Sequence, residues 1–290
     1  SLVGPEGATN LSITLSTGMT GADLIGASLE GKDASGSPTH MRIDAVGVGA
    51  APNQDLLYLN VSVEESGEWV HLCGAENGVP VPALPFPGKW NQDNGRWTNT
   101  TRKFSFACRG SAIAKCMEAG YKPWRQYELD SRTFNGSAKA GNGTAEGTIT
   151  VYSNRDFEAS GTKTRNGESR DFSRERTYPA PGADALQACV RMIRADYCGN
   201  GESHTVDGRI VDFWDNLGVH EQTHKEWTAE AIWGPEGASC FFSPRVSSGE
   251  KGYPSCVNKV RPDRFLCNVR QPHGVLGQIL SNSYQAQARQ

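Results

Sequence analysis

Apolar and polar residues alternate through three early stretches of the chain. Residues 41–46, 56–63 and 69–72 place β-branched, aromatic or other apolar side chains at a two-residue period, the pattern of a strand with one buried face. The period lengthens to that of a helix in two places. Residues 111–119 read as a short helix, with Ser111 as N-cap and Gly120 closing it. Across 183–195, Ala185, Leu186, Cys189, Met192 and Ile193 fall on one helical face, with Asp184 near the start and Arg191 and Arg194 near the end, as the helix dipole favours. Strand character returns at 209–214, 226–243 and 253–269, with a Gly-Pro-Glu-Gly turn at 234–237. Residues 74–103 are Pro- and Gly-rich, hold Trp90 and Trp97, and read as a loop. Residues 131–178 carry few large apolar side chains, and only 147–152 has strand character, so a surface insertion containing at most a β-hairpin is expected. The pattern predicts an α+β fold, mostly β, with antiparallel strands and two short helices.

A short repeat precedes these elements. Residues 17–31 read as three fives, each ending in Gly and centred on Met19, Leu24 or Leu29. They resemble pentapeptide repeats, whose central residues point into a square β-helix. Three repeats are less than one coil and cannot bury their own apolar face. Met19, Leu24 and Leu29 are therefore candidate self-association positions, against the plainer alternative of a strand and turn. The expected organisation is a repeat segment at 1–35, a disulfide-rich domain at 36–270 interrupted by the insertion at 131–178, and a tail at 271–290.

Composition narrows the class. With 33 Gly and 15 Pro in 290 residues the chain is turn-rich, and 37 % hydrophobic with 21 % charged residues excludes a disordered tail. A net charge of −3, from 29 basic and 32 acidic residues with no basic block, argues against a nucleic-acid partner. No run of 18 apolar residues occurs, so no transmembrane segment is expected.

Eight cysteines (Cys73, Cys108, Cys116, Cys189, Cys198, Cys240, Cys256 and Cys267) are an even set with no C-x-x-C pair. That favours a disulfide framework over a thiolate metal site. Two links suggest themselves: Cys116 to Cys189 between the helices, and Cys256 to Cys267 closing a hairpin. The chain begins with Ser1, which reads either as removal of a signal peptide or as trimming of the sequence. Cysteine parity and this start together point to a secreted or cell-surface protein. Sequons at Asn10, Asn60, Asn99, Asn135 and Asn142 read as surface loops.

The sharpest chemical motif is His220-Glu221-Gln222-Thr223-His224, a literal H-E-x-x-H. On a helix, His220 and His224 would be zinc ligands on one face and Glu221 would activate water. Gln222 and Lys225 stand where such a helix is usually apolar, and Trp227 and Glu230 break the longer metzincin pattern, which favours a polar surface segment. Asp196, His204, Asp207, Asp212 and Asp215 gather within twenty residues and offer acid–base or Ca²⁺ chemistry. Their spacing matches no calcium loop. The alternative has Asp196 capping nearby amides while Tyr197 packs. Cys198 with His204 as base is a nucleophile candidate, against its use in a disulfide. Trp124, Trp214, Trp227 and Trp233 could form a sugar-binding face or pack a core. No cofactor signature appears.

Several strings are distinctive: Cys108-Arg-Gly-Ser-Ala, Lys115-Cys-Met-Glu-Ala-Gly-Tyr-Lys-Pro-Trp124, Ala195-Asp-Tyr-Cys-Gly-Asn-Gly201, His204-Thr-Val-Asp-Gly208, Asp215-Asn-Leu-Gly218, Glu230-Ala-Ile-Trp233 and Gly237-Ala-Ser-Cys240. Together, over roughly 40–130 and 183–270, they resemble the ADYC domain, an exported family of myxobacteria and relatives with no assigned activity. The resemblance implies secretion and disulfides but no reaction. The leading expectation is a non-enzymatic extracellular structural or binding protein, and its sharper form is a self-associating subunit of a surface assembly or filament whose partner is another copy or cell-surface material. A secreted zinc-dependent hydrolase built on His220, Glu221 and His224 is the alternative, and a carbohydrate-binding module the third.

Overall fold

The computed structural model describes residues 8–11, 21–33, 35–91, 93–98, 104–128, 132–140, 143–152, 162–165, 168–171, 179–215, 217–221, 223, 228–241, 244–245, 254–256, 275–276 and 279–283. They form mostly antiparallel β-sheet, with two short helices and three disulfide bonds. The chain divides into two units, residues 1–124 and 125–290, with the boundary inside the stretch expected to be one domain.

The first unit contains β1 (Ala8–Leu11), β2 (Ser28–Lys32), β3 (Pro38–Val48), β4 (Leu57–Glu65), β5 (Glu68–His71), β6 (Ala75–Glu76), β7 (Val79–Pro80), β8 (Ala83–Pro87), β9 (Lys89–Trp90), β10 (Trp97–Thr98), β11 (Phe104–Cys108) and α1 (Ala112–Glu118). Its main sheet runs β3-β2-β1-β11-β8-β4-β5, and β4 also pairs with β3. Six antiparallel strands therefore form a closed ring, which removes sheet edges, and β5 continues from β4 outside it. Met41, Ile43, Leu59, Val61, Val63, Leu72, Ala83 and Phe106 share one core. A register shift between Ile43 and Ala45 leaves Asp44 as the extra residue of a bulge. Bulges of this kind re-aim side chains. Asn60, read as a surface-loop sequon, sits half-buried within β4 instead.

Strand β8 lies within the stretch expected to be a loop. Its prolines explain both the misreading and one property of the ring. The Arg109 N–H donates to the Pro82 carbonyl at 2.9 Å. This sets an alternation in which residues 82, 84 and 86 turn their backbone groups toward β11, and Pro85 and Pro87 turn theirs toward β4. Proline has no N–H to offer there. Accordingly β8 pairs with β11 along five residues but with β4 only at Leu59↔Ala83. The Cys73–Cys108 disulfide stands beside this seam: Cys108 is opposite Ala83, and Cys73 follows Leu72, whose N–H donates to Val61 of β4.

No solenoid forms from the described part of the N-terminal repeat. Gly21–Leu24 is a turn of 3₁₀ helix, and β2 pairs with β1 and β3 on its two sides. Leu24 (9 % exposed) and Leu29 (6 % exposed) are buried in this unit's own core rather than presented to a partner, while Met19 lies outside the described residues. Helix α1 starts as expected, with the Ser111 hydroxyl accepting from the Ala114 N–H.

The second unit contains β12 (Gln126–Glu128), β13 (Arg132–Ala140), β14 (Gly143–Tyr152), β15 (Thr162–Arg165), β16 (Glu168–Asp171), β17 (Pro179–Pro181), α2 (Gly182–Arg194), β18 (Val211–Asp215), β19 (Thr228–Gly234), β20 (Gly237–Phe241), β21 (Val275–Leu276) and β22 (Ile279–Ser283). Its sheet order is β18-β22-β19-β13-β14-β21, with β20 on β19. The insertion stretch supplies two hairpins, β13–β14 and β15–β16. The first joins the sheet through short parallel pairings to β19 and β21. Helix α2 is more enclosed than its apolar stripe implies, because Gln187, Arg191, Ala188 and Val190 are buried as well. Among the described residues no helix is long and apolar enough to cross a membrane.

Leu29 separates a core role from an interface role. Leu29→Ala should destabilise the protein by about 2–5 kcal/mol, with a thermal midpoint independent of protein concentration. Scanning calorimetry at several concentrations checks this; a midpoint that moves with concentration would return Leu29 to an interface.

Candidate functional site

The distinctive Ala-Asp-Tyr-Cys segment follows α2, so its geometry begins with the helix's C-terminal carbonyls. The last four need donors from outside the regular helix ladder. Ala195 adopts a left-handed conformation (φ 52°), placing the Asp196 N–H on the Arg191 carbonyl at 2.9 Å and the Ala195 N–H on that of Met192 at 3.0 Å, a Schellman closure. Arg245 Nη2 donates to the Met192 carbonyl at 2.6 Å, and its Nη1 donates to Ile193 at 3.1 Å. The Arg194 carbonyl accepts from the His204 N–H at 3.1 Å and the Ser203 hydroxyl at 3.0 Å. All four carbonyls are thus satisfied.

The cation that closes this end is itself neutralised. Arg245 Nε donates to Glu230 Oε1 at 2.8 Å, and the Tyr197 hydroxyl donates to the same oxygen at 2.7 Å while accepting the Arg245 backbone N–H at 3.0 Å. All three side chains are buried. Burial, then the Glu230 charge, pushes the Tyr197 phenol well above its ordinary value. Asp196 pairs with Arg191, both at most 1 % exposed, and also accepts the N–H groups of Asn200 and Gly201 at 3.1 and 2.9 Å. The Tyr197 ring stacks on Trp233 with centroids 5.0 Å apart. Beneath it two turns meet backbone to backbone. A Cβ on Gly199 would lie 1.9 Å from the Glu236 carbonyl oxygen, and one on Gly237 would lie 2.8 Å from that of Tyr197.

The remaining candidates occupy similar roles. Asp215 accepts the backbone N–H groups of Leu217, Val219 and His220, and Asp212 accepts both the N–H and hydroxyl of Thr223. Asp207 is exposed. His204 is buried with Nε2 3.8 Å from Glu202 Oε1, but Cys198 is bonded to Cys256 and cannot serve as its nucleophile. That bond also corrects the Cys256–Cys267 expectation. Cys116 and Cys189 are each disulfide-bonded, while the Cys240 side chain and Cys267 lie outside the described residues.

A helical H-E-x-x-H is not formed. His220, Glu221 and Thr223 are non-helical, Glu221 is exposed, and the His220 N–H is held by Asp215 at 2.9 Å with its ring against Phe213. The Asp215 turn fixes the backbone away from a helix. His224 lies outside the described residues, and among the described residues no group of three His, Cys, Asp or Glu could hold a metal ion. Of the tryptophans expected to share a face, Trp214 and Trp233 are fully buried, Trp124 is 44 % exposed with Nε1 on Asp55, and Trp227 is outside the described residues.

One cluster was not anticipated. On β3–β5 of the first unit, Arg42 Nε donates to Asp44 Oδ1 at 2.6 Å, the Ser62 hydroxyl donates to Asp44 Oδ2, and His71 Nδ1 lies 3.4 Å from the Ser62 oxygen. The guanidinium carbon sits 4.6 Å over the Trp69 ring. Burial acts to raise the Asp44 carboxyl, but the Ser62 and Arg42 hydrogen bonds outweigh it and hold the group below its ordinary value. Serine, histidine and aspartate converge, yet serine stands between the other two, so the imidazole is not oriented by the carboxylate as nucleophile activation requires. Register could have exposed this cluster: Arg42 is opposite Ser62, and Ser62 opposite His71.

Residues 21–145 and 168–247 match the ADYC domain, so the chain belongs to that family. The matched span covers all of the latch around Tyr197 and its partners Glu230 and Arg245, and the Arg42–Trp69 cluster besides. No curated protein matches the chain, and no solved structure does.

Two predictions follow from this geometry. Peptide mapping without reduction should recover Cys73–Cys108 and Cys198–Cys256; a Cys256–Cys267 peptide would overturn the second. Tyr197→Phe should cost about 1–3 kcal/mol at neutral pH. Because the native phenol titrates above the unfolded value of 10.0, its contribution is intact below that pH and is lost as pH rises past it. The variant should therefore show a shallower alkaline loss of thermal stability than the parent, and an identical slope would remove Tyr197 from the account.

Proposed function

We propose that the chain is an extracellular structural or binding component, stapled by disulfides, and not an enzyme. One observation carries this reading. In the second unit, the carboxylates and phenol offered by the distinctive motifs, the exposed Asp207 apart, are engaged by the protein's own backbone or by buried opposite charges. Asp196, Asp212 and Asp215 hold turns, Glu230 neutralises Arg245 at a helix end, and the Tyr197 hydroxyl hydrogen-bonds Glu230. Catalytic acids and bases must instead face a reacting atom. Disulfide use supports an oxidising location outside the cell.

A self-associating version of this role draws on a surface other than the N-terminal repeat. Among the described residues strand β5 ends the sheet order and all four of its residues are exposed, and an unpaired strand edge is a template for pairing with a second copy.

Metal analysis and light scattering test the proposal together. Dialysed protein should hold no stoichiometric zinc, and Glu221→Gln and His220→Ala should leave metal content and hydrolysis of ester and peptide substrates unchanged. Stoichiometric zinc lost from these variants would restore the hydrolase reading. A constant mass near 31.3 kDa across a wide concentration range assigns the binding role to a monomer and ends the self-associating version; growth of larger particles supports a subunit.

A further inference from the structure

We infer that the outer face of β3–β5 is a binding site for a neutral saccharide, with Trp69 as its stacking platform and the Arg42–Asp44 pair as its hydroxyl-reading edge. This deepens the binding role proposed above and rests on it.

The argument starts from what the cluster leaves unused. Trp69 keeps 42 % of its surface exposed on a strand whose neighbours Glu68, Val70 and His71 are exposed as well. Arg42 spends Nε on Asp44 and places its guanidinium carbon over the indole, while its two Nη groups make no hydrogen bond among the described residues. The Trp69 Nε1 and His71 Nε2 likewise make none there. Asp44 is fixed from two sides, by Arg42 and by the buried Ser62 hydroxyl. The bulge in β3 brings Asp44 into this position. Cation–π stacking and a fixed carboxylate together hold the guanidinium in one orientation, so its outer N–H groups are aimed before any ligand arrives.

The ligand class follows from this chemistry. An exposed indole presents a flat apolar face suited to the C–H face of a pyranose. Beside it lie fixed donors, the Arg42 Nη groups and Trp69 Nε1, and a fixed acceptor, the Asp44 carboxylate. That mixture suits neighbouring hydroxyls, each of which donates and accepts. The charge balance selects against acidic sugars and phosphates: Glu64 is directly across β4–β5 from Trp69, and Glu65 and Glu68 close the same hairpin. With Asp44 these four carboxylates outnumber Arg42 and His71.

Affinity gel electrophoresis tests the assignment, with the full chain run through gels containing mixed-linkage β-glucan, galactomannan or starch, and alginate as the acidic counterpart. At least one neutral polymer should retard the protein, and alginate should not. Trp69→Ala should reduce the association constant at least tenfold, Arg42→Lys should weaken it severalfold, and Trp69→Phe should keep part of it. Trp124→Phe, at the other tryptophan exposed among the described residues, should leave it unchanged. Circular dichroism verifies that each variant is folded. Migration unaffected by all three neutral polymers, retardation that survives Trp69→Ala in a folded variant, or retention by alginate alone would each overturn the site. None of these outcomes touches the metal and hydrolysis measurements, so failure here is separable from failure of the non-enzymatic reading.

Discussion

The end of a helix is a problem when it is buried. Helix α2 terminates away from solvent, and its last four carbonyls each require a hydrogen. The chain answers with a left-handed alanine, a histidine N–H, a serine hydroxyl and the guanidinium of Arg245. Importing a cation creates a second requirement, because an unpaired buried charge costs several kcal/mol. Glu230 meets it, and Tyr197 donates to the same Glu230 oxygen while accepting the Arg245 backbone N–H. The segment that gives the family its name is therefore the consequence of one termination event. Its alanine makes the reversal, its aspartate pairs with Arg191 and holds the next turn, its tyrosine completes the charge network, and its cysteine ties the turn to Cys256.

This explains why residues with catalytic potential concentrate here without forming an open site. Acids, imidazoles and a phenol are the groups best able to satisfy stranded backbone, and the same groups attract attention as catalysts. What separates the two uses is direction. In the second unit Asp196, Asp212 and Asp215 point at amides, and Tyr197, Glu230 and Arg245 point at one another. On the outer face of β3–β5 the guanidinium edge and indole point outward, supported from behind by Ser62 and Asp44.

Much of the local structure was legible from sequence. The early strands, both helices, the Ser111 cap and the turn at 234–237 follow from period and capping chemistry. The misreadings have physical causes. Strand β8 was hidden because Pro85 and Pro87 mimic loop composition, although the N–H groups they lack belong to the sparsely paired side. The repeat of fives left open whether its central residues face a partner or the chain itself, and Leu24 and Leu29 are where a turn and a strand meet their own core. The H-E-x-x-H lost its helix to Asp215, whose carboxylate binds three amides just before it. The Arg42–Asp44–Trp69 cluster depends on a bulge and on three strands in register, information that no local window of sequence contains.

The ring in the first unit has one weak joint, where β4 and β8 share a single residue pair, and a covalent bond stands next to it. Sulfur chemistry there substitutes for backbone pairing that proline has deleted. A link that exists only in its oxidised form thus stands where the backbone ladder is thinnest, and the redox state of the medium becomes an ingredient of the architecture.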